Sequence, residues 1–162
     1  MRIIKLTQGA EAIVDDKDYE WLSKWKWRLF KSRNQRYAIR IDKKKQISMH
    51  NVIMNPQKGL EIDHIDNNGL NNQRINLRIC THSQNLMNQN KQRGRKYKGV
   101  SKFREGYRSY LKYEGRFISL GVYKTEKEAA KAYDKGAIKY FGDFANTNFK
   151  NKNREWMYKK PI

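Results

Sequence analysis

Short alternations of apolar and polar residues run through the first third of the chain. They predict β-strands over residues 2–6, 10–14 and 37–41. Apolar residues at helical spacing predict a helix over residues 16–25, and the apolar run 47–54 is expected to end in a second, short helix. Strands and helices that are this short and mixed in order indicate small sheets packed with helices, an α+β arrangement.

A polar segment rich in Asn and Asp follows in the middle of the chain. The run Asn67-Asn68-Gly69 predicts a turn, because Asn and Gly tolerate positive φ, and residues 77–79 predict a strand that returns from the loop. Thr81 and Gln84 have the spacing of a capping box, so a helix is expected to begin at His82. This segment therefore predicts a strand, a loop, a second strand and a helix.

The last third of the chain has one compact pattern of predicted strands and a helix. Three strand candidates are separated by turns at Glu-Gly pairs: residues 99–103, 107–113 and 117–122. Thr125 and Glu128 again have capping-box spacing, and Gly142 is placed to end the helix that follows them. Because this helix is rich in small alanines, it can lie close upon a sheet. The pattern predicts a small three-stranded antiparallel sheet packed on one helix.

The charge of the chain predicts the chemistry of its partner. Lys and Arg number 36 and Asp and Glu number 16, which gives a formal net charge of +20. A charge this one-sided favours a polyanion, of which nucleic acid is the natural example. An anionic membrane is the rival, but the chain has no evident long amphipathic helix and no run of about 18 apolar residues. No obligatory protein partner is evident, and the single cysteine, Cys80, excludes an internal disulfide and a multi-cysteine zinc site.

Four polar residues of the middle segment have the chemistry to hydrolyse a phosphodiester bond: Asp63, His64, Asn76 and Asn85. An imidazole with a pKa of roughly 6.5 can take a proton from water near neutral pH. A carboxylate can hold a hard divalent cation such as Mg²⁺, and an amide oxygen from a facing helix can complete the protein ligands. The predicted hairpin and helix would bring Asp63, His64 and Asn85 together, where Asn76 could bond to the imidazole or brace the loop.

Residues 61–88, EIDHIDNNGLNNQRINLRICTHSQNLMN, resemble the HNH homing endonucleases of phages and mobile introns. The resemblance lies in an Asp-His pair, an Asn twelve residues after His64 and a further Asn nine residues later. The upstream segments LTQGAEAIVDDKDYEWLSKWKW and ISMHNVIMNP resemble the N-terminal part of the same enzymes. The resemblance covers residues 1–90 and implies an HNH nuclease domain with a ββα-metal motif at about 61–90.

The resemblance also implies a catalytic site with one Mg²⁺ or Mn²⁺ ion. In it Asp63 and Asn85 would be the metal ligands, His64 the general base and Asn76 the residue that steadies the base. Asn85 stands where the third letter of the family name is often His, as in the magnesium-using branch of the family. The chain has three histidines, too few for the zinc-binding arrangement. His50 is expected to be structural, and His82 to be either solvated or close to phosphate.

Residues 97–149 resemble the plant ethylene-response-factor (apetala-two) DNA-binding domain. The matching landmarks span the whole segment: Tyr97-Lys98-Gly99-Val100, Leu120-Gly121, Glu128-Ala129-Ala130, Ala132-Tyr133-Asp134 and Asn148-Phe149. In that family a three-stranded sheet lies in the major groove with the helix packed behind it, and a ribbon of this width fits the groove. Ser101 stands where the family usually has Arg, and a usual tryptophan is missing. The base preferences of the plant proteins are therefore not expected here.

Alternation along the predicted strands selects the face that would contact DNA. Leu111, Ile118 and Leu120 are expected to face the helix, so the side chains between them point the other way. The predicted DNA-binding residues of this face are Arg108, Tyr110, Lys112 and Ser119, flanked by Lys98, Lys102, Arg104 and Arg116. Arg93 and Arg95 join them from a basic linker, residues 91–96, that is expected to lie along phosphates.

The sequence thus predicts a metal-dependent DNA endonuclease of the homing type. Its parts are a nuclease domain at 1–90, the linker at 91–96, a DNA-binding domain at 97–149 and a basic tail at 150–162. It is expected to cut one or both strands of double-stranded DNA, and the resemblance implies a phage or mobile element acting in the cytoplasm of a bacterial cell. Two alternatives stay open: a DNA-binding regulator with a decayed nuclease motif, and an RNA-binding or ribosome-associated protein suggested by charge alone.

Overall fold

Small antiparallel sheets and short helices make up the fold. The computed structural model describes residues 1–32, 35–91 and 94–149, and it confirms the predicted α+β class. Within these ranges, ten strands form four antiparallel sheets of two or three strands each. The chain divides into two compact units, Met1–His82 (the N-terminal unit) and Ser83–Ile162 (the C-terminal unit). No helix in the described ranges is long and apolar enough to cross a membrane.

The N-terminal unit contains three of the four sheets. Its elements are β1 (Arg2–Lys5), β2 (Glu11–Val14), α1 (Asp16–Leu22), β3 (Arg28–Lys31), β4 (Arg36–Asp42), β5 (Lys45–Ser48), α2 (Met49–Met54), β6 (Glu61–His64), a 3-10 turn (Arg74–Asn76) and β7 (Leu77–Cys80). The strands pair as β1-β2, β3-β4-β5 and β6-β7. α3 (His82–Asn88) begins at the predicted residue, and all of it after His82 belongs to the C-terminal unit.

Two elements of this unit differ from their predictions. α1 ends at Leu22 rather than at Trp25, because the buried Trp27 indole donates a 2.8 Å hydrogen bond to the Leu22 carbonyl and the chain turns there. β3 was not predicted, since Leu29 alone of its four residues is buried and no alternation marks the strand. The end of α1 thus depends on a residue outside the helix, and β3 lacks the alternation by which a strand is recognised in a sequence.

The core of the N-terminal unit lies where the two helices cover the sheets. Leu22 of α1 and Met49 of α2 are fully buried, and Trp27 belongs to the same cluster. Burying side chains of this size stabilises the fold by about 1.5–3 kcal/mol each. Ile62 of β6 and Leu77 of β7 are part of this cluster as well, so the core fixes the hairpin that carries Asp63 and His64.

The C-terminal unit contains the predicted sheet and helix. Its elements after α3 are β8 (Val100–Phe103), β9 (Gly106–Tyr113), β10 (Arg116–Tyr123), α4 (Glu126–Phe141) and a 3-10 turn (Gly142–Phe144). β9 is the middle strand and pairs antiparallel with both neighbours. The predicted capping box begins α4, with the Glu128 backbone N–H 3.2 Å from Thr125 Oγ1 and the Thr125 N–H 3.0 Å from Glu128 Oε2.

Small residues let α4 lie close upon the sheet. Ala129 and Ala137 are fully buried, and Tyr133 is buried beside them. A Cβ on Gly136 would stand 2.7 Å from a methyl group of Leu120. Glycine inside a helix costs about 1 kcal/mol relative to alanine, and here it makes room for Leu120, a partly buried leucine of the sheet.

Candidate active site

Asp63 and His64 lie side by side at the end of β6, and both are buried, at 4% and 6% exposure. In the β6-β7 hairpin, Asp63 stands opposite Arg78 and His64 opposite Leu77. The guanidinium of Arg78 donates to Asp63 Oδ2 from Nε at 2.8 Å and from Nη2 at 2.5 Å. A buried carboxylate is costly unless a positive group accompanies it, and Arg78 provides that group. The sequence reading missed Arg78, which the register of the predicted hairpin could have identified.

The imidazole of His64 is held by an asparagine other than the one predicted. His64 Nε2 lies 3.4 Å from Oδ1 of the fully buried Asn72. In this arrangement Nε2 donates and Nδ1 carries the lone pair of the neutral ring. Burial lowers the pKa of His64 below its usual 6.5, against the opposing effects of Asn72 and two nearby carboxylates. The ring is therefore neutral at pH 7, the form that can accept a proton.

Two further rings pack against His64. The His50 ring stands edge-on to it, with 5.0 Å between centroids, and the Tyr37 ring lies 6.0 Å from it and 5.5 Å from His50. Burial, together with the neighbouring His64, lowers the pKa of His50 to about 3. Nδ1 of His50 is buried without a hydrogen-bond partner among the described residues. His50 therefore contacts the candidate base directly, a position that the sequence reading did not give it.

Asn76 braces the loop that follows His64. Its Nδ2 donates to Asp66 Oδ1 at 2.9 Å and to the Asn71 carbonyl at 2.8 Å, and its Oδ1 accepts from the Asp66 N–H at 3.0 Å. Of the two roles open to Asn76 in the sequence, the structure thus shows the loop contact. The expectation that Asn76 itself steadies the imidazole is corrected, because Asn72 makes that contact.

The same loop is fastened to α1. Arg74 donates from Nε and Nη2 to the two oxygens of Asp18 at 2.8 and 2.9 Å, and its backbone N–H donates to Asp15 Oδ2 at 2.9 Å. Burial acts to raise the pKa of Asp18, but the hydrogen bonds and charge of Arg74 outweigh burial and leave that pKa below its usual value. This ion pair helps to fix the loop residues around His64.

Asn85 lies in α3, within the part of that helix that belongs to the C-terminal unit. Its meeting with Asp63 and His64 stays a prediction. His82, at the start of α3, has Nδ1 2.8 Å from Oε1 of Glu61 and is exposed. Within the described ranges, no group of three or more His, Cys, Asp or Glu side chains could hold a metal ion. The candidate ligands are instead one carboxylate and one amide, hard oxygen donors of the kind that suits Mg²⁺.

Comparison with known proteins identifies the family. Residues 55–87 match the family described as HNH endonuclease. Over 148 residues the chain is 32% identical to an uncharacterised HNH endonuclease of Acanthamoeba polyphaga mimivirus, and the match covers 87% of this chain and 76% of the viral protein. The chain belongs to the HNH endonuclease family. The matched residues 55–87 include both members of the buried Asp63-His64 pair.

This HNH endonuclease also resembles plant transcription factors over short stretches. It is 45% identical over 49 residues to the AP2-like ethylene-responsive transcription factor ANT of Arabidopsis thaliana, covering 30% of the endonuclease and 8% of the plant protein. It is 40% identical over 58 residues to the ethylene-responsive transcription factor WRI1 of the same plant, covering 33% and 14%. These matches support the AP2-like DNA-binding module of the sequence reading. No solved structure gives a significant match to the endonuclease.

The predicted DNA face of the endonuclease lies on the side of the sheet away from α4. Leu111 packs against Tyr133 and Ala137 of α4, so alternation turns Arg108 and Tyr110 of β9 to the opposite side. The register places the remaining predicted face residues beside them: Lys112, and Ser119 opposite Tyr110. The placement of these side chains agrees with the alternation argument, and their contact with DNA stays a prediction.

The basic residues that were predicted to flank the DNA face do not all lie beside it. Arg104 and Arg116 are exposed at the two turns of the sheet. Arg95 Nη1 donates to the Tyr110 hydroxyl at 3.4 Å, which places Arg95 beside the face. Lys102 lies with Nζ 4.8 Å from the ring centroid of Tyr107, its register partner, so it points away from the Arg108 face. Arg93 and the tail at 150–162 lie outside the described residues.

Lys98 differs most from its expected role. Its ammonium donates to the carbonyls of Met87 at 2.7 Å and Gln89 at 2.6 Å. Burial lowers the pKa of Lys98 to about 8, although nearby Asp134 acts to raise it. Since this ammonium is used within the C-terminal unit, we do not include Lys98 among the proposed DNA contacts.

Proposed function

We propose that this HNH endonuclease hydrolyses phosphodiester bonds of double-stranded DNA with one bound divalent ion. The observation that carries the proposal is the buried Asp63-His64 pair at the end of β6, with His64 kept neutral by burial. Since a neutral imidazole accepts a proton at pH 7, His64 has the protonation state that a general base requires. The family of the chain supports phosphodiester cleavage as the reaction.

The chemistry of the site supports a separate role for each of its residues. His64 takes a proton from the attacking water on Nδ1, while Asn72 holds Nε2 and so fixes the tautomer and the ring plane. Asp63, oriented by Arg78, and Asn85 of α3 are the proposed protein ligands of the ion. When bound, Mg²⁺ or Mn²⁺ would polarise the phosphate and stabilise the leaving oxygen. Asn76 keeps the loop after His64 in place through Asp66 and Asn71.

We further propose that the two modules divide the work. Residues 1–90 form the nuclease domain, 91–96 the basic linker and 97–149 the module whose sheet enters the major groove. The second module lengthens the recognition site and keeps the enzyme on it, which is the arrangement of a homing-type enzyme. We place its action on the DNA of a phage or mobile element inside a bacterial cell.

Cleavage of supercoiled plasmid tests the proposed function. The full chain with Mg²⁺ or Mn²⁺ is expected to nick or linearise the plasmid. His64→Ala is expected to cleave at least 100-fold more slowly, the lower end of what general-base help contributes, while still shifting DNA on a gel. His82→Ala is the matched control, because His82 is an exposed histidine bonded to Glu61 rather than to the pair. This control is expected to cleave within about threefold of the wild-type rate.

Three outcomes would contradict the proposal. Cleavage by His64→Ala at the wild-type rate would remove the imidazole from the reaction. Plasmid binding by the wild type without cleavage in either metal would instead indicate a DNA-binding regulator with a decayed nuclease motif. A preference for RNA over duplex DNA would point to the alternative of an RNA-binding protein.

A further inference from the structure

The predicted DNA face of the C-terminal unit carries a cleft with an exposed aromatic side chain that is not among the predicted polar contacts with DNA. Arg108 and Tyr110 of β9 and Phe117 and Ser119 of β10 line a cleft of about 360 Å³. Phe117 is 73% exposed, although phenylalanine is among the residue types most often buried. Phe117 lies two residues before Ser119 on the same strand and was not among the predicted DNA-binding residues, which are mostly polar.

Phe117 is one of several exposed apolar side chains on this face. Val122 is 55% exposed and pairs with Arg108, so the two share a face of the sheet. Phe103 is 37% exposed, and the Arg108 guanidinium lies 5.5 Å from the centroid of its ring. Exposed apolar groups that cluster on one face mark an interaction surface more often than scattered ones do.

The walls of the cleft are held in place and surrounded by positive charge. The Tyr110 and Phe117 rings stand edge to face, with 5.9 Å between centroids. The Arg108 guanidinium lies 5.2 Å from the Tyr110 ring centroid, and the Lys112 ammonium lies 6.0 Å from that of Phe117. An occupant must therefore be anionic as a whole and must present a small apolar group to the rings. The net charge of +20 favours a nucleic acid as this polymer, and the matches to AP2-like transcription factors support duplex DNA.

The major groove presents one apolar group among its base edges, the 5-methyl group of thymine. The other functional groups that distinguish the bases there are hydrogen-bond donors or acceptors, which a phenylalanine ring cannot satisfy. We propose that Phe117 and Tyr110 bind a thymine 5-methyl group, which makes this cleft a specificity-determining site of the endonuclease. The inference rests on the proposed contact of the sheet with DNA. Arg108, on the same cleft, can donate to a guanine or a phosphate beside that thymine.

Removal of single methyl groups from DNA tests this inference. The full chain, kept in EDTA to prevent cleavage, first selects duplexes from a random-sequence pool. Each thymine of a selected duplex is then replaced in turn by deoxyuridine, which keeps the hydrogen bonds and lacks the 5-methyl group. At one or two positions, deoxyuridine is expected to weaken wild-type binding about fourfold, the effect of one buried methyl group.

If the Phe117 ring binds the methyl group, a variant without the ring should no longer distinguish thymine from deoxyuridine. Phe117→Ala is expected to bind the thymine duplex about as weakly as the wild type binds the deoxyuridine duplex, with no further loss on deoxyuridine at those positions. Ile138→Ala is the matched control, because Ile138 is 50% exposed on α4 and not on the sheet. This control is expected to bind the thymine duplex with wild-type affinity and to lose affinity on deoxyuridine substitution as the wild type does. Far-UV circular dichroism checks that both variants are folded.

The outcomes separate this inference from the function on which it rests. Wild-type binding that is insensitive to deoxyuridine at every position would overturn the inference and leave the proposed DNA contact standing. A loss of affinity on deoxyuridine substitution that persists in Phe117→Ala would overturn the inference as well, because another residue would then contact the methyl group. Absence of any duplex binding by the wild type would overturn both.

Discussion

Burial decides the protonation of the two histidines at the candidate active site. The rings of His50 and His64 lie edge to face at 5.0 Å, and burial lowers the pKa of both. Two imidazolium ions at this distance would repel each other, so the packing disfavours a state in which both rings are charged. The position of His50 beside His64 therefore lowers the pKa of His50 further, in addition to the effect of burial.

This arrangement predicts a loss of stability in mild acid. The unfolded chain protonates His50 near pH 6.5, whereas the native chain does so only at about pH 3. Because the unfolded state binds more protons between these values, stability falls as the pH falls through this window. His50 alone should make the native state about 2 kcal/mol less stable at pH 5 than at pH 7. Urea denaturation of the wild type at the two pH values measures this difference.

His50→Phe isolates the contribution of that residue. Phenylalanine keeps a ring against His64 and cannot be protonated, so the loss of stability between pH 7 and pH 5 should shrink by up to about 2 kcal/mol. His82→Ala, which removes an exposed histidine, should keep the wild-type pH dependence. An unchanged pH dependence in His50→Phe would show that His50 is not held neutral in the native state.

At the scale of elements, the junction of β8 with α4 depends on one glycine. Gly99 has a φ of +69°, and a Cβ there would overlap the Tyr133 ring and stand 2.6 Å from the Tyr110 carbonyl oxygen. Gly99→Ala should therefore destabilise the C-terminal unit by about 2–4 kcal/mol, through positive φ and overpacking together. Gly115→Ala is the matched control: it has a φ of +79° and nothing within 4 Å, and should cost only about 1–2 kcal/mol. Equal losses in the two variants, measured by urea denaturation, would contradict the packing argument.

Elements set by local chemistry were predictable from the sequence. The capping box of Thr125 and Glu128 and the start of α3 at His82 each depend on residues within one helical turn. The end of α1 depends on Trp27, a residue outside the helix, and could not be inferred from the spacing of its apolar residues. In the candidate site the Asp63-His64 pair followed from the motif. The motif did not predict which residue holds the imidazole. Asn72 is one of several asparagines in the loop, and the conformation of the loop decides which asparagine faces His64.

For the molecule as a whole, the net charge of +20 predicts how DNA binding responds to salt. If the endonuclease neutralises ~8 phosphates, log affinity should fall against log salt concentration with a slope of about −7. Arg108→Ala should make that slope shallower by about 1 if the guanidinium meets a phosphate. Fluorescence anisotropy of labelled duplex between low and moderate salt, in EDTA, gives the slope. A slope shallower than about −2 would mean that few of the cations reach the DNA backbone.

The bonds made by Lys98 bear on how the two modules could be exchanged between proteins. Its ammonium joins the carbonyls of Met87 and Gln89, and Asn146 Nδ2 donates to the carbonyl of Asn88 at 2.8 Å. A chimera spliced within the linker at 91–96 would keep the helix of Asn85 and lose the residues that hold its last turn. A graft that begins at Ser83 instead transfers α3 together with Lys98 and Asn146, and it therefore also transfers Asn85, a residue proposed for catalysis.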